Sequence, residues 1–289
     1  MRNIISSRLR VDRCTITAMI VIAVSTLAAG QGLAQDAVVH RDIDYIPGTD
    51  YAANKDRLDV FMPQASMDVP VVLYFHGGGL RAGAKAIGEG LARQLTARGI
   101  GVVSANYRLS PTVMHPAHME DATAAFVWTK RNIEMYGGDP NRVFVAGHSA
   151  GAYLAALMSV DSSYLAAHGM KLSDIRGTIP ISPFLYVEEP AVAPRRPKTV
   201  WGTNEDVWLR ASVTPYIGSD KPPMLFIYAD GDDFWRREQN DRLKAELMAH
   251  GNKVFLEQIA NRTHGSVNSK MGEDHDPGMM RIATFIDRH

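Results

Sequence analysis

The 289-residue sequence lacks the features that mark several classes of protein. It has a single cysteine, Cys14, so it can build neither a disulfide framework nor a cysteine-rich metal site. Its 31 basic and 31 acidic residues cancel, which gives no electrostatic basis for binding nucleic acid or an anionic membrane surface. It has no internal repeat and no long low-complexity tract. What is left is a chain of the size that buries one large core.

The N-terminal residues have the layout of a secretory signal peptide. Four arginines accompany an apolar run at Thr17–Gly30, which is shorter than the roughly 18–20 residues that span a bilayer. Gly32 and Ala34 then occupy the small positions of an A-x-A-like cleavage site. We therefore expect a signal peptide over residues 1–34, and a mature domain, residues 35–289, in the periplasm or outside the cell. An uncleaved membrane anchor is the alternative; after cleavage we expect no stable membrane insertion.

Beyond residue 55 the sequence alternates between strand and helix patterns. The continuous apolar run VPVVLYF (Val69–Phe75) is typical of a strand buried on both faces, whereas the alternation in DRLDVFM (Asp56–Met62) predicts an edge strand. Together the patterns predict an α/β fold with a mostly parallel central sheet and helices on both faces. Further strands are expected within residues 99–108, 142–147, 176–182, 223–229 and 253–260, and helices within 84–98, 118–136, 150–160, 238–250 and 277–288.

A stretch at about 183–223 interrupts this alternation, since it is rich in proline, tryptophan and charge. Sites in parallel sheets form at the carboxyl ends of the strands, so we expect a small lid insertion that covers that edge. Trp201, Trp208, Tyr216 and Phe234 are candidates to line a substrate pocket beneath it. The alternative is that these aromatic side chains only pack within the lid.

The pentapeptide GHSAG (Gly147–Gly151) follows a predicted strand and opens a helix of small residues. A G-x-S-x-G pattern alone is weak evidence, but a serine in such a sharp turn is strained and presents its Oγ above the sheet. Glycines are expected on both sides because a Cβ there would collide with the neighbouring strand or helix. The pattern predicts Ser149 as a nucleophile, with an ordinary Gly/Ser turn as the alternative.

A nucleophilic serine needs a base and a carboxylate, which in this type of sheet follow it in the order acid, then histidine. His264 comes directly after a predicted strand and is the expected base, whereas His275 lies well beyond the last strand. The turn DGDDF offers Asp230, Asp232 and Asp233 after another strand. We favour Asp232, and Asp230 is placed to accept hydrogen bonds from loop amides instead.

The stretch VLYFHGGGL (Val72–Leu80) places three glycines at the end of a buried strand, although glycine is costly in backbone entropy. Ester hydrolysis passes through an oxyanion that backbone N–H groups stabilise. One donor is expected at Ala150, after the nucleophile, and the others in His76–Gly79. His76 is expected to order this loop and not to act as a second base.

Several motifs in this order resemble the α/β-hydrolase fold, and within it the hormone-sensitive-lipase-like and small carboxylesterases. Segment RAGAK (Arg81–Lys85) is more similar to small acetyl- and feruloyl-type esterases and arylformamidases. The matching stretches span residues 69–265 and are HGGG (76–79), NYRLSP (106–111), HPAHMED (115–121), YGGDPNRVFVAGHSAG (136–151), PPMLFIYADGDD (222–233) and THG (263–265).

The resemblance implies a residue assignment and an activity. It implies Ser149 as nucleophile, His264 as base and Asp232 as acid, although Tyr228-Ala229 stands where His-Gly is usual, which keeps Asp230 and Asp233 as alternatives. The implied oxyanion donors are Gly78, Gly79 and Ala150, with Gly77 shaping the turn.

We thus expect an exported serine carboxylesterase that hydrolyses small-molecule esters, of short acyl or aryl type, through an acyl-enzyme. No metal or cofactor is expected, since the charged stretch Glu273–Asp276 is typical of a solvated loop. An arylformamidase-like amidase is the nearer alternative because the same three residues would serve it. A non-catalytic binding protein on a hydrolase fold is the more distant one.

Overall fold

The computed structural model describes residues 37–289, except for the side chains of residues 193–195; the predicted signal peptide at 1–34 lies outside these residues. The described strands are β1 (Val38–Asp44), β2 (Arg57–Met62), β3 (Val69–Phe75), β4 (Gly101–Ala105), β5 (Gly138–His148), β6 (Gly177–Ile181), β7 (Met224–Gly231) and β8 (Val254–Thr263). They form one sheet in the order β1-β2-β4-β3-β5-β6-β7-β8. Strand β2 runs antiparallel to both neighbours, and the pairs from β4 to β8 are parallel.

Helices cover both faces of this sheet. Side chains of β3 alternate between two apolar clusters: Leu73 and Phe75 lie on one face and Val72 and Tyr74 on the other, all fully buried. Burying each such side chain contributes roughly 1.5–3 kcal/mol, so both layers stabilise the sheet. The predicted α/β-hydrolase fold is confirmed. The α-helices are α1 (Glu89–Thr96), α2 (Ala117–Asn132), α3 (Ala150–Val160), α4 (Ser162–Ala166), α5 (Lys198–Trp201), α6 (Glu205–Arg210), α7 (Phe234–Ala249), α8 (Ser266–Ser269) and α9 (Pro277–Arg288).

The prediction of an edge strand at Asp56–Met62 is wrong. Strand β2 lies between β1 and β4, and five of its six residues are buried. The polar residue responsible for the apparent alternation, Asp59, is only 1% exposed and accepts a hydrogen bond of 2.6 Å from Lys85 Nζ. In the sequence, a buried carboxylate that is paired with a cation cannot be distinguished from a polar residue that faces solvent.

The segment between β6 and β7, residues 183–223, is called the insertion segment below. It holds the short helices α5 and α6 and several 3-10 turns, and some of its side chains, such as Leu185 and Val213, join the core on the α3 face. Whether it acts as a lid stays a prediction. No helix within residues 37–289 combines the length and apolarity needed to cross a bilayer.

The ends of three strands position the residues singled out above. Ser149 lies between the end of β5 and the start of α3, and α3 has the predicted bounds. Asp232 follows β7, and His264 follows β8. Because β5, β7 and β8 are parallel, their carboxyl ends meet at one edge, and these side chains lie on that edge.

Candidate active site

Ser149 sits in a strained turn that its neighbours impose. Its backbone has φ 53° and ψ −111°, which is a rare conformation for a residue with a side chain. A Cβ at Gly147 would lie 2.4 Å from the carbonyl carbon of Gly151, and a Cβ at Gly151 would lie 2.1 Å from the carbonyl oxygen of Phe75. The expected collisions are therefore present. The turn can pack between β3 and α3 only with glycine on both sides.

A hydrogen-bonded chain joins the three predicted side chains. Ser149 Oγ lies 2.9 Å from His264 Nε2, and His264 Nδ1 lies 2.7 Å from Asp232 Oδ1. His264 is about a third exposed, whereas the Asp232 side chain is fully buried. The geometry allows the imidazole to take a proton from the serine hydroxyl while the carboxylate holds its other nitrogen.

The carboxylate of Asp232 is held in its ionised form. Burial alone would raise its pKa, but hydrogen bonds from His264, Ser182 and the Ala229 N–H outweigh that effect and lower the pKa. Ser182 Oγ donates to Oδ2 over 2.5 Å, and the Ala229 N–H donates to the same oxygen over 2.9 Å. Arg236 Nε lies 3.6 Å from Oδ1. Each carboxylate oxygen thus has a donor, and Asp232 can stay charged beside an imidazole.

The other two carboxylates of the DGDDF turn contact different groups. Asp230 accepts from the backbone N–H groups of Asn261 (2.8 Å) and Arg262 (3.0 Å), which lowers its pKa. It therefore bonds loop amides, as the sequence analysis proposed. Asp233 Oδ2 accepts from the indole N–H of Trp235 over 3.1 Å. Asp232 is the member of this group that contacts the imidazole of His264.

His275 does not take part in this chain of hydrogen bonds. It is exposed, with φ 60°, in the loop before α9. Next to it, Asp276 caps α9 through the Met279 N–H and pairs with Arg262. Within residues 37–289 no group of three or more His, Cys, Asp or Glu side chains is arranged to hold a metal ion.

The glycine loop after β3 forms a tight turn, and Gly79 lines the same cavity as Ser149. Gly78 and Gly79 have φ values of 120° and 64°, which favour glycine. The Gly78 carbonyl accepts from the N–H groups of Arg81 and Ala82, each over 3.1 Å. A Cβ at Gly78 would lie 2.1 Å from the Ala82 carbonyl oxygen. Ala150 begins α3, so its N–H has no acceptor within that helix.

His76 is buried behind this loop. Its ring stacks on Tyr107 at a centroid distance of 4.3 Å, and the Tyr107 hydroxyl donates to the His76 carbonyl over 2.7 Å. Its Nδ1 bonds the Gly77 carbonyl oxygen over 2.7 Å. Burial lowers the pKa of His76 to about 4, so the ring is neutral at neutral pH. These contacts fit the predicted ordering role.

His148 and Ser182 are among the side chains at the site that the sequence did not predict. His148 Nε2 bonds the backbone carbonyl oxygen of His264 over 2.7 Å, and burial lowers the pKa of His148 to about 4. Ser182, with φ 51°, supports Asp232 as described. His148 occupies the variable position of G-x-S-x-G and Ser182 follows β6, so their places at strand ends were the only signals available.

A cavity of about 290 Å³ opens beside Ser149. Of the four aromatic residues proposed for such a pocket, Trp201 lines it, and the prediction is wrong for the other three. Trp208 and Tyr216 pack against the core, and Phe234 is 73% exposed. Local spacing did not reveal which aromatic rings turn inward. The lining comprises Gly79, Arg81, Ser149, Phe184, Val192, Pro197, Trp201, Trp235 and Arg236.

Curated relatives match part of the chain. Carboxylesterase NlhH of Mycobacterium tuberculosis is 41% identical over 105 residues, which cover 35% of this chain and 32% of that protein. Isoprenylcysteine alpha-carbonyl methylesterase ICME of Arabidopsis thaliana is 34% identical over 120 residues, which cover 41% and 28%. The chain thus spans about a quarter to a third of the length of the curated relatives it matches.

Solved structures match nearly the whole fold. A truncated carbohydrate esterase from gut microbiota superposes with a TM-score of 0.76 at 17% identity, over 88% of this chain and 97% of that one. An esterase of Pyrobaculum calidifontis gives a TM-score of 0.68 at 25% identity, over 80% and 81%. A sequence model of the BD-FAE family matches residues 58–247. Because that match covers well over half of the chain, the chain belongs to the BD-FAE family.

Proposed function

We propose that the protein is an exported serine carboxylesterase acting on short acyl or aryl esters. The observation that carries this proposal is the chain of hydrogen bonds from Ser149 through His264 to Asp232, built on a strained turn. Its relatives support the same reaction class, since several are named carboxylesterases or methylesterases. The layout of residues 1–34 supports export.

In the first half of the proposed reaction, Ser149 Oγ attacks the ester carbonyl carbon. His264 Nε2 accepts the hydroxyl proton, and Asp232 stabilises the resulting imidazolium. The N–H groups of Gly78, Gly79 and Ala150 are the proposed donors to the oxyanion. When the tetrahedral intermediate collapses, the ester C–O bond breaks and His264 returns the proton to the leaving alcohol.

In the second half, water replaces the alcohol. His264 takes a proton from the water as it attacks the acyl carbon, and the same backbone donors stabilise the second oxyanion. Collapse breaks the bond to Ser149 Oγ, which regains its proton from the imidazole. The free acid leaves, and the net reaction adds one water across one ester bond.

The modest size of the cavity supports a small acyl or aryl group. Its volume is about 290 Å³, at the lower end of the range typical of ligand sites, and Phe184 and Trp201 form part of its wall. A short acyl chain or one aromatic ring matches these walls. The proposed substrates are therefore esters of that size.

The test is turnover combined with covalent labelling. The wild-type protein should hydrolyse 4-nitrophenyl acetate and bind a fluorophosphonate at Ser149, whereas Ser149→Ala should lose both. Removal of a triad nucleophile typically costs on the order of 10⁶ in kcat. Equal turnover by Ser149→Ala and wild type would refute the mechanism, and so would labelling of a different residue.

Two further measurements resolve the finer parts of the proposal. Kinetics on N-formyl aryl amides should give a lower kcat/KM than on short esters; the reverse order would indicate an amidase.

Expression of the full chain in a bacterium should give a periplasmic or secreted product that begins at Gln35, as read by N-terminal sequencing. An uncleaved, membrane-bound product would contradict the proposed export.

A further inference from the structure

Two cations beside the glycine loop have no carboxylate partner among the residues that the structure describes. Lys55 Nζ donates to the Gly83 carbonyl oxygen over 3.0 Å, and Arg81 is exposed on the turn that follows Gly79. Among the side chains that the structure describes, no Asp or Glu forms an ion pair with either one. The neighbouring cation Arg108 does form an ion pair, with Asp121. Lys55 and Arg81 therefore differ from it in having no such pair.

Arg81 forms part of the wall of two cavities. One is the cavity of about 290 Å³ that contains Ser149. The other has a volume of about 420 Å³. Arg81 is the residue that the two linings share, so a substrate group that reaches its guanidinium from the Ser149 cavity meets a cation that also lines the second cavity. The second cavity is lined by Asp50, Tyr51, Ala52, Ala53, Lys55, Arg81, Arg108, Leu109, Ser110 and Thr112.

The charges around this second cavity do not cancel. Arg108 contributes little net charge, because it makes bidentate hydrogen bonds of 2.7–3.0 Å to the buried carboxylate of Asp121. The lining also holds one acid, Asp50, against the two cations Lys55 and Arg81. Lys55 and Arg81 therefore leave an excess of positive charge. Burial lowers the pKa of Lys55, as expected for an ammonium without a carboxylate beside it.

We propose that the site selects esters that carry a carboxylate, with Arg81 as a specificity-determining residue and Lys55 reinforcing its field. The scissile carbonyl lies at Ser149, and the carboxylate lies in the second cavity. Arginine suits this role because its planar guanidinium can bind both carboxylate oxygens. The inference rests on the proposed esterase function and adds the charge of the preferred substrate.

Matched substrate pairs test this preference. The first pair has the charge in the leaving group: 4-acetoxybenzoate and its neutral isostere 4-acetoxybenzamide. The second has it in the acyl group: the mono-4-nitrophenyl ester of glutaric acid and of its monoamide. In at least one pair we expect kcat/KM to be about tenfold higher for the anion at low salt. This ratio should approach one in about 0.5 M salt, where charges are screened over a few ångströms.

Variants then assign the preference to Arg81. Arg81→Gln should lower the anion-to-neutral ratio about fivefold, while Arg81→Lys, which keeps the charge, should retain most of it. Arg131→Gln is the matched control and should leave the ratio unchanged, since Arg131 is exposed near the end of α2, which lies beside the start of β5 and so away from the carboxyl ends of the strands.

The outcomes separate this inference from the function on which it rests. A wild-type ratio near one in both pairs, or a ratio that Arg81→Gln does not change, would overturn the carboxylate preference while esterase activity on the neutral members stands. If no ester were hydrolysed above the level of Ser149→Ala, the proposed function would fall, and the preference with it.

Discussion

The turns at the strand ends and the insertion segment, residues 183–223, both border the cavity beside Ser149, yet they are built under different constraints. In the turns, a Cβ at Gly78 or Gly151 would approach a backbone oxygen to 2.1 Å. In the insertion segment, a Cβ at Gly218 would meet open space. Backbone packing therefore fixes the groups proposed for the chemistry, whereas side chains of the insertion segment form much of the cavity wall.

The sharpest test of this contrast is the acid. Asp232→Asn should lower kcat by about 10⁴, because the amide stabilises the wrong tautomer of His264. Asp233→Asn is the control in the same turn, and it should change kcat by less than about twofold, since Asp232 and not Asp233 bonds the imidazole of His264. Steady-state kinetics on 4-nitrophenyl acetate measures both. A large loss in Asp233→Asn with a small one in Asp232→Asn would reverse the assignment.

The second test compares two glycines. Gly78→Val should lower kcat by about 10²–10³, the typical cost of losing an oxyanion donor, because the side chain displaces the loop. Gly218→Ala, in the insertion segment, should leave kcat and Tm nearly unchanged. Circular dichroism and kcat are measured on the same preparations. If Gly78→Val lost secondary structure but kept normal activity in its folded fraction, the glycine would serve folding alone.

The third test compares two serine-to-aspartate hydrogen bonds. Ser182 donates to the buried Asp232, and Ser219 donates to the exposed Asp220. Ser182→Ala should lower the free energy of unfolding by about 1.5–3 kcal/mol at pH 7. It should also lower kcat about tenfold, which corresponds to about 1.4 kcal/mol of lost transition-state stabilisation. Ser219→Ala should cost almost nothing.

The stability difference between wild type and Ser182→Ala should depend on pH. The folded-state pKa of Asp232 lies below its usual value of 3.8, partly because of Ser182. A depressed pKa stabilises the fold above the unfolded-state value, and this contribution is lost as the pH falls through the folded-state pKa. Denaturant titrations should therefore show the full difference in the free energy of unfolding between wild type and Ser182→Ala at pH 5–7. That difference should shrink below pH 3.8. An advantage that is constant over this range would exclude the proposed hydrogen bond to the ionised form.

The smallest effect is expected from the insertion segment itself. Trp201 lines the cavity, whereas Trp208 packs elsewhere. Trp201→Phe should change the ratio of kcat/KM for 4-nitrophenyl butyrate over acetate about threefold, which is less than the roughly 10–200-fold that a methylene is worth in an apolar pocket, because phenylalanine keeps an aromatic ring in the wall. Trp208→Phe should leave that ratio unchanged. An equal shift in both variants would show that the segment acts through its folding and not through contact with substrate.

The features that could be predicted from the sequence are those that depend on residues close together in the chain. The apolar run of β3 and the bounds of α3 follow from burial and helix composition. Ser149 and His264 each follow a strand of one parallel sheet, so their places in the chain predicted that they meet. Chain order alone left Asp230, Asp232 and Asp233 as candidates for the acid, and it is Asp232 that contacts His264.

The remaining features depend on contacts between distant parts of the chain. Asp59 is buried in β2, where it accepts a hydrogen bond from Lys85, and no local sequence pattern near either residue indicates that pair. Ser182 contacts Asp232 across 50 positions, and His148 contacts the backbone of His264 across 116. The inward turn of Phe184 and Trp235 likewise depends on how the insertion segment and α7 pack, which periodicity does not encode.

The three glycines after β3 have one more consequence. A loop without side chains can bring N–H groups close to a reacting oxygen, but it can carry no charge of its own. Any adjustment of the electric potential at that oxygen falls to neighbours such as Lys55 and Arg81, which contribute no proposed donor to the reaction. Evolution or protein engineering can therefore change which substrates are attracted by exchanging those neighbours, while the part of the molecule that breaks the bond stays as it is.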